Sequence, residues 1–168
     1  MSLSLVYPRA LPRLLRRWER ASFSAWALGW LLVLALLLRL PLLSGARLLP
    51  DEALYATWAR LIATGEDVWL ASQAVDKPPL FIYTLAALFG TIGASEELAR
   101  LPSLLATLLS IFLTYKIALR LYADDMLALL AALLLALSPF SILFAVTAFT
   151  DPLMTMWTLA AAWFALEG

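Results

Sequence analysis

Apolar residues recur along this chain in long unbroken runs, separated by short polar breaks that carry proline, glycine or acids. The first run extends from Phe23 to Leu43. That length suits a membrane crossing, because a hydrocarbon core of ~30 Å needs ~20 apolar residues in helical form. Two further runs, about Leu98 to Tyr122 and Met126 to Val146, are of the same kind, and a fourth (152–168) is still apolar where the sequence stops. Pro139 inside the third run predicts a kink there. Hydrophobic residues make up 64% of the 168 positions, well above the ~45–50% of a soluble domain. Leu and Ala dominate, and both favour helix. The pattern therefore predicts an all-α integral membrane protein with about four transmembrane helices. Because the fourth run is short for a crossing, the sequence reads as the front of a longer protein.

The segment between the first and second spans (44–97) reads differently. Pro50-Asp51-Glu52 opens a stretch in which Leu54, Trp58, Leu61 and Ile62 fall at helical spacing, and Gly65 ends it. This is the pattern of an amphipathic helix lying on the membrane surface. Leu80 to Gly93 is apolar but only about fourteen residues long, which is more typical of an interfacial segment than of a span. Charge placement supports that reading. Arg9, Arg13, Arg16, Arg17 and Arg20 crowd residues 1–21 against one acid, Glu19, and basic flanks stay cytoplasmic. If Leu80 to Gly93 lies in the interface, Lys116 and Arg120 also fall inside, and Asp51 and Asp151 share the external face. If it spans, Asp151 falls opposite Asp51. The same arginines could meet lipid headgroups. Arg39, near the end of the first span, is expected to snorkel outward. Ser44-Gly45-Ala46 has the small residues of a signal-peptide cleavage site, but the apolar run and the basic flank are longer than such leaders carry. An uncleaved span is the better reading.

Composition narrows the chemistry. Lys plus Arg number 12 and so do Asp plus Glu, so bulk charge offers no nucleic-acid partner. Without a single Cys or His, disulfides, thiolate chemistry and Cys/His zinc sites are excluded. The commonest base near neutral pH is missing too. Acid–base work falls to Asp, Glu, Lys or Tyr.

Asp51 could cap the first surface helix, with Glu52 favouring the helix dipole. Asp151 before Pro152 is an equally good helix start. Neither role forbids catalysis, since a carboxylate at a helix mouth is rigidly held. Lys77-Pro78-Pro79 places a cation on a stiff backbone at the surface, as an anchor or as a contact for a lipid phosphate. Tyr55 and Trp58, one helical turn apart, could line a groove or sit as interface aromatics, as could Trp69 and Tyr83. Arg100 could reach phosphate or pair with Glu96 or Glu97.

Four short motifs stand in order: Asp51-Glu52-Ala53-Leu54-Tyr55-Ala56, Asp76-Lys77-Pro78-Pro79-Leu80, Ala99-Arg100-Leu101-Pro102-Ser103 and Thr150-Asp151-Pro152. Together they resemble the GT-C membrane glycosyltransferases, in the branch of bacterial aminoarabinose transferases and protein O-mannosyltransferases. The resemblance covers roughly residues 45–155. It implies two surface helices in the first external loop and a second acid in the next one. It also implies transfer of a sugar from a polyprenyl phosphate to an acceptor hydroxyl, with inversion, at the external face of a bacterial inner or plasma membrane. Asp51 would deprotonate or orient the acceptor, accompanied by Glu52. Lys77 would contact the donor phosphate, and Asp151 would complete an acidic pocket. Tyr55 and Arg100 are further candidates for binding substrate. The implied partners are the polyprenyl-phosphate-sugar donor, a glycan, lipid or protein acceptor, and membrane lipid. No redox or organic cofactor is expected. Two acids would accommodate a divalent metal, although Lys77 could take its place. Members of the family are several-fold longer, so a non-catalytic membrane subunit that binds lipid or a partner transferase is the alternative.

Overall fold

The structure, a computed structural model, describes residues 11–44 and 47–168, with side chains from residue 23 onward. The arginines of the basic flank and the Gly45-Ala46 pair therefore lie outside the described side chains. Seven helices occur among the described residues: α1 (Leu11–Leu43), α2 (Pro50–Thr64), α3 (Pro79–Ile92), α4 (Glu96–Tyr122), α5 (Asp125–Leu137), α6 (Pro139–Ala145) and α7 (Asp151–Glu167). Two of them are long and apolar enough to cross a membrane, α1 over Phe23–Leu43 and α4 over its full length. A third crossing is available if α5 and α6 count as one, bent by 60° at their junction.

The bend has a local cause. Pro139 cannot donate the backbone bond that would continue α5, and Ser138 turns its own N–H to the Leu135 carbonyl at 3.3 Å. A straight helix would offer the Ala136 carbonyl the N–H of Phe140. The guanidinium of Arg39 serves it instead, at 3.1 Å. Arg39 also donates to the Ala35 carbonyl and to Ser141 Oγ, both at 2.9 Å. The expectation that Arg39 snorkels outward is thus corrected: its side chain is fully buried. A cation at the negative end of α5 is favourably placed, and the bend supplies the acceptors that make burial tolerable.

Two apolar cores flank α4, which packs on α1, α3, α5, α6 and α7. In one, Ala128, Ala132 and Ala136 form a four-residue repeat along α5 and meet Leu28, Leu31 and Ala35 of α1 and Ile111, Tyr115 and Ala118 of α4. Small residues at that spacing let helix backbones approach closely where lipid gives no hydrophobic drive. In the other, α2 and α3 pack on each other through Tyr55, Trp58, Ala59, Phe81, Ile82 and Leu85. This reverses part of the surface-helix reading. Trp58 is core, and Leu54 is the exposed member of the expected apolar face. Tyr83 donates to the Val68 carbonyl at 2.9 Å, while Trp69 is 83% exposed.

Contacts fix which ends of the bundle coincide. Ser103, early in α4, donates to the carbonyl of Phe149, just before α7, at 3.2 Å. At the far end Arg120 donates to the Leu166 carbonyl at 3.3 Å and stands 3.8 Å from Glu167. Helices α4 and α7 therefore run parallel. Asp151 shares an end of the bundle with the start of α4, and Asp124 lies at the other end.

Candidate functional site

Glu52 organises this end of the bundle. It is 1% exposed, and its carboxylate is filled with donors. Oε2 accepts from the Leu49 N–H at 2.7 Å, and Oε1 accepts from the Ala148 N–H, ninety-six positions away, also at 2.7 Å. Arg100 approaches both oxygens, through Nε at 3.4 Å and a terminal nitrogen at 3.5 Å. The same guanidinium donates to the carbonyls of Leu43 at 3.0 Å and Arg47 at 3.3 Å. One buried pair thus ties the end of α1, the start of α2, α4 and the loop before α7. The partner of Arg100 is Glu52, not the Glu96 or Glu97 of its own helix turn.

That clasp decides where the free acids stand. Asp51 follows Pro50 as the second residue of α2, and Leu49 occupies the cap position. The expected capping role of Asp51 is therefore absent, and Glu52 reaches back to the cap N–H instead. Thr150 is the cap of α7 and Asp151 its first residue, with no side-chain capping bond. Both carboxylates are exposed, and neither makes a hydrogen bond among the described residues. Their helix positions still favour negative charge. The Glu52–Ala148 bond joins the neighbour of Asp51 to a residue three before Asp151, which draws the two acids to one end of the molecule.

Tyr55 reports the resulting field. Its ring is buried, edge-on to Phe81 and Phe149 with 6.3 Å between centroids. Burial raises its phenol above the ordinary tyrosine value. Lys77 opposes that shift, and Asp51, Asp76 and Asp151 add to it. Four charged groups from three separate segments are thus close enough to act on one hydroxyl. The ammonium of Lys77 holds Asp76 at 3.1 Å. That bond, then the charges of Asp76, Tyr55 and Asp51, raise the amine above its usual value. Asp76 was visible in the sequence only as the first residue of the Asp76-Lys77-Pro78-Pro79-Leu80 motif. Its role as the lysine's partner follows from the fold. Among the described residues no three acids converge as a metal-binding group.

Beside Asp151 a cavity of about 150 Å³ runs into the bundle between α4, the α5–α6 bend and α7. Ser138, Ser141 and Thr155 are among its lining residues. Isolated hydroxyls in an apolar run look like ordinary helix residues, so no pattern in the sequence singles these three out.

Fold and site together define a helical membrane protein that gathers two uncapped carboxylates and a lysine at one end of its bundle. The family model for dolichyl-phosphate-mannose-protein mannosyltransferase matches residues 76–168, and the chain belongs to this family of membrane glycosyltransferases. It is 31% identical over 159 residues to undecaprenyl phosphate-alpha-4-amino-4-deoxy-L-arabinose arabinosyl transferase 2 of Pseudomonas fluorescens, covering 88% of this chain and 27% of that protein. It is 30% identical over 152 residues to the corresponding transferase of Pseudomonas paraeruginosa, covering 84% of this chain and 27% of the relative. The chain therefore spans about a quarter of the length of these curated relatives. No solved structure matches it.

Proposed function

We propose that this chain is the N-terminal membrane module of a glycosyltransferase that moves a sugar from a polyprenyl phosphate to an acceptor hydroxyl, with inversion. The carrying observation is the clasp of Glu52 on Ala148 and Arg100, which leaves Asp51 and Asp151 free on one end of the bundle. An inverting displacement needs a base on the acceptor side and a positive charge on the leaving phosphate. Asp51 takes or orients the acceptor proton. Lys77 meets the donor phosphate, and Asp151 completes the pocket. Glu52 and Arg100 have their polar atoms engaged internally, so they act as positioning residues. Tyr55, whose hydroxyl feels the charges of Lys77, Asp51, Asp76 and Asp151, is a further contact for substrate.

The membrane geometry suits this chemistry. A polyprenyl tail stays in the bilayer, so its phosphate sits at the interface. In this reading the chain crosses through α1, α4 and the bent α5–α6 pair, and α7 re-enters the bilayer from the face that carries the acids. Helices α2 and α3 lie at the surface, and the acids face outside. At fourteen residues α3 reaches about 21 Å, short of a ~30 Å core.

The test is transfer by the full-length protein from a polyprenyl-phosphate sugar to acceptors in source-cell membranes. Asp51→Asn should lower transfer by about 10²-fold or more, the scale of a lost general base, with membrane insertion unchanged. Unaltered transfer in that variant would remove Asp51 from the mechanism.

A further inference from the structure

Helical hydroxyls in this protein mostly donate back to their own helix, as Ser and Thr usually do in apolar surroundings. Thr107 donates to the Ser103 carbonyl at 2.9 Å, Ser110 to Ala106 at 2.8 Å, Thr114 to Ser110 at 2.8 Å and Thr158 to Met154 at 2.9 Å. Ser138, Ser141 and Thr155 depart from this habit. Ser138 Oγ accepts from the Ser141 N–H, and Ser141 Oγ accepts from Arg39 at 2.9 Å. Thr155 makes no side-chain hydrogen bond among the described residues. All three therefore keep an uncommitted hydroxyl proton, and all three line the cavity beside Asp151.

The grouping has a chemical sense. Three donors line a space that Asp151, an acceptor, lines with them. Arg39, buried one hydrogen bond behind Ser141, polarises that hydroxyl and makes it a better donor. Phe140 and Phe144 also line the cavity and stack on each other with 4.2 Å between centroids. Phe140 is 69% exposed, so the cavity meets the outer face of the bundle along an aromatic edge. Donors and an acceptor beside an apolar aromatic wall match a ligand whose hydroxyls ring an apolar carbon frame. We infer that this cavity is a subsite for a sugar ring delivered on a lipid, read by Ser138, Ser141 and Thr155 and bounded by Asp151. The inference rests on the transferase reading above and adds to it where the ring is held.

The ring could come from the donor or from a glycolipid acceptor, and one experiment separates these. The full-length protein is extracted from source-cell membranes and its bound lipids are weighed by native mass spectrometry, so no sugar need be chosen beforehand. Thr155→Val keeps the side-chain shape and disturbs no internal bond. It should lower the ratio of sugar-bearing to bare polyprenyl phosphate about three- to tenfold, the scale of one lost hydrogen bond. Total polyprenyl phosphate should stay constant. A fall confined to a co-purified glycolipid lacking the polyprenyl phosphate would assign the ring to the acceptor. Ser141→Ala should act in the same direction. Unchanged ratios in both variants would overturn the subsite, as would a fall in total carrier at constant ratio. Absence of any polyprenyl phosphate from the unaltered protein would instead defeat the transferase reading itself.

Discussion

At the scale of single residues, neighbours in sequence have opposite fates. Asp51 is exposed and uncapped, while Glu52 beside it is buried among donors. Lys77 offers a direct check on the field around Tyr55. Its amine is raised above the ordinary lysine value of 10.5, chiefly by its hydrogen bond to Asp76. A raised amine stays charged through the ordinary lysine range and loses its charge only as pH climbs past the elevated value. Binding of bare polyprenyl phosphate to the full-length protein should therefore persist up to about pH 10.5 and fall only beyond it, with helicity followed as a control. Asp76→Asn should move that fall to lower pH. The candidate acids and the lysine were legible in the sequence because a charge beside an apolar run needs a reason. Whether Asp51 or Glu52 stays free was not legible. Of the donors that occupy Glu52 only the Leu49 N–H is local; Ala148 and Arg100 lie far along the chain, and no local pattern names them.

At the scale of elements, helix starts and stops were readable from local chemistry. Gly65 ends α2 in the left-handed conformation at φ 79, where a residue without Cβ is at ease. Ser95 caps α4 by accepting from the Leu98 N–H at 3.1 Å. Pro139 marks the bend. What joins the elements was hidden. Apolar periodicity pointed Trp58 at lipid, but the packing of α3 on α2 buries it. Length and hydropathy put Arg39 at a span end, but the broken α5 supplies carbonyl and hydroxyl acceptors that draw it inward. The Glu52–Arg100 clasp is the element-level claim most open to trial. Glu52→Gln and Arg100→Leu should each destabilise the protein by about 3–5 kcal/mol, because each leaves a buried charge without its partner. The double variant should lose less than the sum of the two, since both remove the same interaction. Thermal unfolding in detergent measures all three. Additive losses would mean that the two side chains contribute independently.

At the scale of the whole molecule, the parallel run of α4 and α7 brings the loop before α7 back to the loop that carries α2. Span length and the placement of basic residues lead to the expectation that Asp51 and Asp151 share the external face. In the structure Glu52 on Ala148 holds the start of α2 beside the loop before α7, so the two acids share one end of the bundle. The central claim, that both acids serve one external site, is tested most directly by membrane sidedness. Single cysteines replace Gly65, Thr150 and Asp124 in turn in the full-length protein, and intact cells are treated with a membrane-impermeant thiol reagent. The account predicts labelling at positions 65 and 150 and none at 124. Labelling at 124 with protection at 150 would place the two acids on opposite faces and contradict it.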